Sequence, residues 1–359
     1  MATAAVFTKR QETNLKLTPL AQFSGFRALL WNNNQLYASR GYALYKTSVT
    51  GFELRWELVA RFSPLMWRAL TSQFRLSSRF FRDGFHALAA LSSGHLIAAV
   101  PGAILALSPG ETEFKISRRI TRGTRPLHIT TTPDNRVLWG EYFDNRNRDE
   151  VNIYSSCDCG NSWNIAHTFP AGEIRHVHNI VYDPWQHCLW ILTGDNGSEC
   201  RIIRSSCDFS QMENVLAGSQ QTRAAALVPT PKGIVFSTDT PSQQNHIYLL
   251  DRKGKLEQLA DLSSSSIYGC AVGDSLFFST MAEPSSINNT TEVRLYGSAD
   301  GTHWQNLLQY KKDGWPMGPF QYGNVFLPGG RNHSRVLALT TCAVAGADSV
   351  TSLWTVQLE

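Results

Sequence analysis

Charged side chains are scarce in this 359-residue chain: Asp, Glu, Lys and Arg make up 17%, and the formal net charge is +4. So weak a basic balance excludes a general nucleic-acid binder, whose footprint is a dense Lys/Arg stripe. Glu, Lys and Ala are too few for long helices, while 42% apolar and 11% aromatic residues exclude a disordered chain. No apolar run approaches the roughly 18 residues of a membrane-spanning helix. Met1–Thr13 hold no apolar stretch of the kind a secretory leader needs. The cysteines (157, 159, 188, 200, 207, 270 and 342) are odd in number, which a fully disulfide-bonded framework would not normally have. Cys157 and Cys159 are spaced C-x-C and lack a second close pair, so no cysteine zinc site is expected, nor any other cofactor. The expectation is a cytoplasmic protein, in which the sequons at Asn196, Asn288, Asn289 and Asn332 carry no glycan.

What is present is repetition. Arg175–Pro184, His187–Asp195 and Cys200–Ser206 are three short strand-like runs separated by turns. The same order recurs at Pro126–Pro133, Arg136–Glu141 and Val151–Ser155, and again at Thr222–Pro229, Gly233–Asp239 and His246–Leu250. A bulky polar residue opens each unit: Arg27, His86, His128, His178, Arg223, Tyr268 and Tyr322. Seven units of roughly 40–50 residues, each with three or four strands, predict an all-β, seven-bladed β-propeller of four-stranded antiparallel blades, a single domain over 1–359. The seventh unit supplies only three strands, and Asn14–Gln22 form an orphan strand before the first unit. That N-terminal strand is expected to close the last blade and cover its open edge.

A second signature supports the ring. Ser156-Cys-Asp-Cys-Gly-Asn-Ser-Trp163 fits S-x-D-x-G-x-x-W, and Ser298–Trp304 repeats it one residue shorter. Ser206–Ser210 and Ser48–Trp56 are decayed copies. The Asp caps backbone N–H groups in a hairpin turn, Gly takes φ > 0, and Trp packs between blades. The motif resembles the Asp-box, or BNR repeat, of sialidase-like β-propellers. That resemblance implies a structural role for Asp158 and Asp300, and it widens the expected activities to glycosidases, polysaccharide lyases and non-catalytic factors. Sialidases clamp a carboxylate with three Arg and pair a Tyr nucleophile with a Glu. Here Phe26-Arg27-Ala28 stands where their R-I-P motif would, without the Ile-Pro, and Arg223 matches a second clamp member.

In a propeller, inner-strand starts and second-strand ends open onto one face around the channel. Arg27, His128, Arg175, Arg223, Asp239, Tyr268 and Tyr322 are therefore expected to bind substrate, and Glu141, Tyr142, His176, His178 and Asp195 to carry catalysis. Arg forks carboxylates and Tyr stacks on sugar faces. Glu141 beside Tyr142 suits a general acid or an activator of the phenol. His176 and His178, two residues apart on a strand, share a face and suit a base with its orienter; the sequence leaves open whether they hold a metal. The expected function is a glycoside hydrolase or lyase acting on an acidic or polyhydroxylated glycan. The alternative is a non-catalytic glycan- or protein-binding scaffold. Residues 63–82 break the repeat as a helical insertion between blades 1 and 2, with Arg68, Arg75, Arg79 and Arg82 on one helical face. A lid beside the channel is expected, or a basic peripheral membrane contact through 65–82.

Overall fold

The computed structural model describes residues 14–50 and 53–359. Met1–Thr13 and part of the Ser48–Trp56 turn lie outside them. Seven sheets form the blades of a ring, each built from the inside outward. Blade 4 shows the pattern: Val177–Asp183 lines the channel, followed outward by Cys188–Thr193, Arg201–Ser205 and Met212–Ala217. Its second strand is wholly buried, the first and third are buried over most of their residues, and half of the outer strand is exposed. Apolar clusters alternate with sheets around the ring; one joins Leu138 and Ile153 of blade 3 to Ile180 and Leu189 of blade 4.

Ring closure follows the expected route. Leu15–Ser24 pairs antiparallel with Val350–Leu358, from Leu15 opposite Leu358 to Ser24 opposite Val350. The last blade thus takes three strands from the C-terminal end and one from the N-terminal end. One strand is additional. Gly329–Asn332, from the loop after the inner strand of blade 7, pairs in parallel with the inner strand of blade 1 at Leu30–Asn33. Gly330 (φ +89°) permits it, since a Cβ there would stand 2.1 Å from the Trp31 carbonyl oxygen.

The box turns join third to fourth strands, on the face opposite the inner-strand starts. Asp158 accepts from Ser156 Oγ and the Ser162 N–H, Gly160 takes φ +85°, and Trp163 Nε1 donates to Ser117 Oγ of blade 2 at 2.6 Å. In the second box Asp300 accepts the Thr302 and His303 N–H groups.

The insertion is two short helices, Met66–Thr71 and Arg75–Phe81, not one. The Ser72 and Ser77 hydroxyls donate to backbone carbonyls around the break, a local bonding that competes with helix continuation. Two of its arginines turn inward. Arg68 bonds Asp83 at 2.7 Å, and buried Arg79 reaches Asp313 at 2.5 Å, Asp348 at 3.0 Å and the Phe320 carbonyl. The exposed side instead carries Leu65, Met66, Trp67, Leu70 and Phe74. Buried aspartates thus draw Arg68 and Arg79 under the helices, while Arg75 stays more than half exposed beside Asp348.

Candidate functional site

Inner strands of blades 1, 4, 5 and 6 each carry a register shift near their first residues, at Ala28/Leu30, Val177/Asn179, Ala224/Ala226 and Ser266/Tyr268. A bulge re-aims the side chains beside it. Two groups of polar side chains result at the channel mouth.

The first draws on blades 3 to 6. His176 and His178 are buried with their Nε2 atoms 3.0 Å apart. His176 Nδ1 faces the Phe143 carbonyl at 3.1 Å, and His178 Nδ1 faces the Ala224 carbonyl of blade 5 at 2.9 Å. Asp195 Oδ1 lies 3.5 and 3.4 Å from the two Nε2 atoms, while Oδ2 accepts from Arg175 at 2.9 Å. Arg223 bridges carboxylates, 3.2 Å from Asp195 and 3.6 Å from Asp239. The Tyr142 ring packs on His176 with centroids 4.2 Å apart. Burial, with the Asp239 and Asp195 charges, pushes the Tyr142 phenol up to about 12, so it stays protonated. Burial and the same two aspartates push Glu283 up to about 7, within reach of general-acid work at neutral pH.

The second group lines the channel itself, a space of about 880 Å³ bounded by Arg27, His86, His128, Tyr268 and Phe326 among others. Arg27 stacks on Phe326 with its guanidinium carbon 4.0 Å from the ring centroid, and its Nη1 is 3.2 Å from His86 Nδ1. His86 Nε2 lies 2.6 Å from the Arg82 carbonyl. Burial, then the charges of Arg125 and Arg27, holds His86 well below its ordinary range. Burial, then His178 and Arg27, lowers His128 to about 4. Arg27 and Arg82 meet at a smaller recess under the helical insertion. Arg125 feels both of them, and burial with Arg27 lowers it to about 10. Its Nε atom is buried without a hydrogen-bond partner. None of Arg27, Arg82 and Arg125 pairs with a carboxylate among the described residues.

The structure thus gathers Tyr142, Arg175, His176, His178, Asp195, Arg223 and Asp239 at one place, and Arg27, His128 and Tyr268 beside it. Glu141 stands apart. Its carboxylate accepts from Arg122 Nε at 3.0 Å, from Arg122 Nη2, and from the Asn152 N–H at 2.8 Å. Both of its oxygens are thus engaged by Arg122 and the Asn152 N–H. Tyr322 is exposed at 37%. Sequence reasoning missed Arg82 and Arg125 as site residues. Both precede inner strands in irregular loops, and only proximity to His86 and His128 in the chain signals them.

No protein-family model matches the chain, and no curated protein matches it. Solved structures share the architecture. A chain in the crystal structure of a mitotic checkpoint complex is 9% identical with TM-score 0.57, over 99% of this chain and 96% of its own. One in a nidogen/laminin complex is 12% identical with TM-score 0.51, over 83% and 97%. The computationally designed Ika8 protein is 9% identical with TM-score 0.52, over 95% and 100%. At such identities the likeness is one of fold alone. No helix among the described residues is long and apolar enough to cross a membrane.

Proposed function

We propose that the protein is a carbohydrate-active enzyme, a glycoside hydrolase or lyase, that acts on an acidic glycan at the channel mouth. The observation that supports this reading is a group of three arginines, none paired with a carboxylate among the described residues: Arg27 and Arg82 line one recess, and the buried Arg125 feels the charge of both. Uncompensated guanidinium groups favour an anionic ligand, and their fork matches a sugar carboxylate. Tyr268, half-buried on the channel wall, adds aromatic surface for a sugar face. Across the mouth, Glu283 serves as proton donor and Asp195, held as a carboxylate by Arg175 and Arg223, as the ionised partner. The likeness of Ser156–Trp163 to the Asp-box of sialidase-like propellers agrees with carbohydrate chemistry. A sialidase-type Tyr–Glu nucleophile pair does not, because Glu141 is committed to Arg122. The test is turnover of uronic-acid polysaccharides and sialylated glycans, read as new reducing ends for hydrolysis or new unsaturated uronates for elimination. Turnover in the wild type that Glu283→Gln abolishes supports the reading. Turnover of none of these substrates overturns it.

A second reading, a non-catalytic propeller that docks on a protein or lipid surface, is favoured by the apolar ridge on the insertion. Leu65, Met66, Leu70 and Phe74 are each more than half exposed. Monomeric proteins seldom expose such a run without use. Binding to vesicles or partners that Leu70→Ser with Phe74→Ser removes would support it.

A further inference from the structure

We infer that His176 Nε2, His178 Nε2 and Asp195 Oδ1 form a binding site for one divalent transition-metal ion, of which zinc fits best. It shares Asp195 with the glycan reading, but its test reads metal alone and so fails or succeeds separately.

Each Nδ1 faces a backbone carbonyl, Phe143 for His176 and Ala224 for His178, and a carbonyl only accepts. Each ring's proton is thereby assigned to Nδ1, which leaves a lone pair on each Nε2. Those lone pairs meet at 3.0 Å with Asp195 Oδ1 at 3.4 and 3.5 Å, and Oδ1 is buried without a hydrogen-bond partner. With both rings neutral, three electron-pair donors therefore converge on one point. A cation resolves the repulsion.

Distances and surroundings fit the same ion. Ligand atoms ~2.1 Å from one ion stand about 3.4 Å apart at tetrahedral angles and about 3.0 Å apart at right angles. The three observed separations, 3.0, 3.4 and 3.5 Å, span that interval. Two imidazoles and one carboxylate are a borderline donor set suited to zinc and its neighbours rather than to calcium or magnesium. The Nδ1–H groups on carbonyls and Arg175 on Asp195 Oδ2 are the outer contacts that orient metal ligands. Arg223, 3.2 Å from Oδ1, is the opposing charge, and Asp239, 3.6 Å from the same guanidinium, offsets it. Three protein ligands leave a fourth position for water or substrate, the arrangement of a zinc site that activates water.

The experiment strips the purified full-length protein with a chelator, adds zinc or cobalt(II), removes excess and measures bound metal. The expected result is about one equivalent in the wild type, with a cobalt spectrum of nitrogen ligation, and below about a tenth in His176→Gln and Asp195→Asn. Cys157→Ser with Cys159→Ser should retain the metal. Zinc should raise the melting temperature of the wild type and of the cysteine variant alone. Wild-type protein that takes up no metal overturns the site, as does uptake unchanged in the histidine and aspartate variants. If those variants do not fold, a wild-type cobalt spectrum lacking nitrogen ligation overturns it equally.

Discussion

The Nη1 atom of Arg79 lies 3.0 Å from Asp348 Oδ2, and both side chains are 3% exposed. This contact ties the helical insertion after blade 1 to blade 7, next to the point where the ring closes. Removing Arg79 would leave the buried Asp348 with Arg75 alone, 3.3 Å away, and Asp313 with Lys312 alone. Arg79→Ala should therefore destabilise the protein by about 3–5 kcal/mol in denaturant unfolding. A change below ~1 kcal/mol would show the insertion to be energetically detached.

Closure of the last blade by Leu15–Ser24 makes a strong claim about the N-terminal segment. Deleting residues 1–24 should lower the melting temperature of the whole domain in one cooperative transition, because Leu15 packs in the core with Val293, Leu295 and Val356. An unchanged melting temperature would contradict closure.

Much of this ring was legible in the chain. Anchors such as His86, His128 and Arg223 fall just before inner strands, because a strand start must present a polar side chain to the channel while the following residues alternate into the core. The Asp158 and Asp300 turns were legible too, since a carboxylate two residues after Ser caps its turn by local bonds alone. The rest was set by contacts between distant segments. Arg122 claims Glu141 from 19 residues away, and Asp313 and Asp348 capture Arg79 from over 200. The Gly329–Asn332 strand depends on a partner almost 300 residues earlier. No periodicity encodes such pairings.

Glu283 offers a pH signature. Its folded-state value of about 7 exceeds the ordinary 4.5, so the folded protein binds the extra proton between these values. Its contribution to stability is present at low pH and is lost as pH rises from about 4.5 through 7. The lowered histidines, His128 at about 4 among them, act in the opposite direction over their own window, so the comparison must be made against Glu283→Gln. Stability of the wild type relative to that variant should fall across pH 5–7. Parallel profiles would show an ordinary carboxyl at this position.

The box turn should prove separable from the site. Asp158→Ala removes the cap on the Ser162 N–H and should cost about 1 kcal/mol in thermal unfolding, with ligand binding at the mouth unchanged. Loss of binding with intact stability would move the functional surface to the opposite face.

Arg125 tests the central claim most directly. Isothermal titration of the wild type with an acidic oligosaccharide and with its carboxyl-reduced counterpart, repeated on Arg125→Ala, isolates the guanidinium–carboxylate contact. A charge-assisted bond in a desolvated site is worth about 1.5–3 kcal/mol, or roughly tenfold and upward in affinity. The account predicts saturable binding of the acidic sugar only, weakened at least about tenfold in Arg125→Ala. Equal affinity for both sugars, or binding indifferent to Arg125, would contradict it.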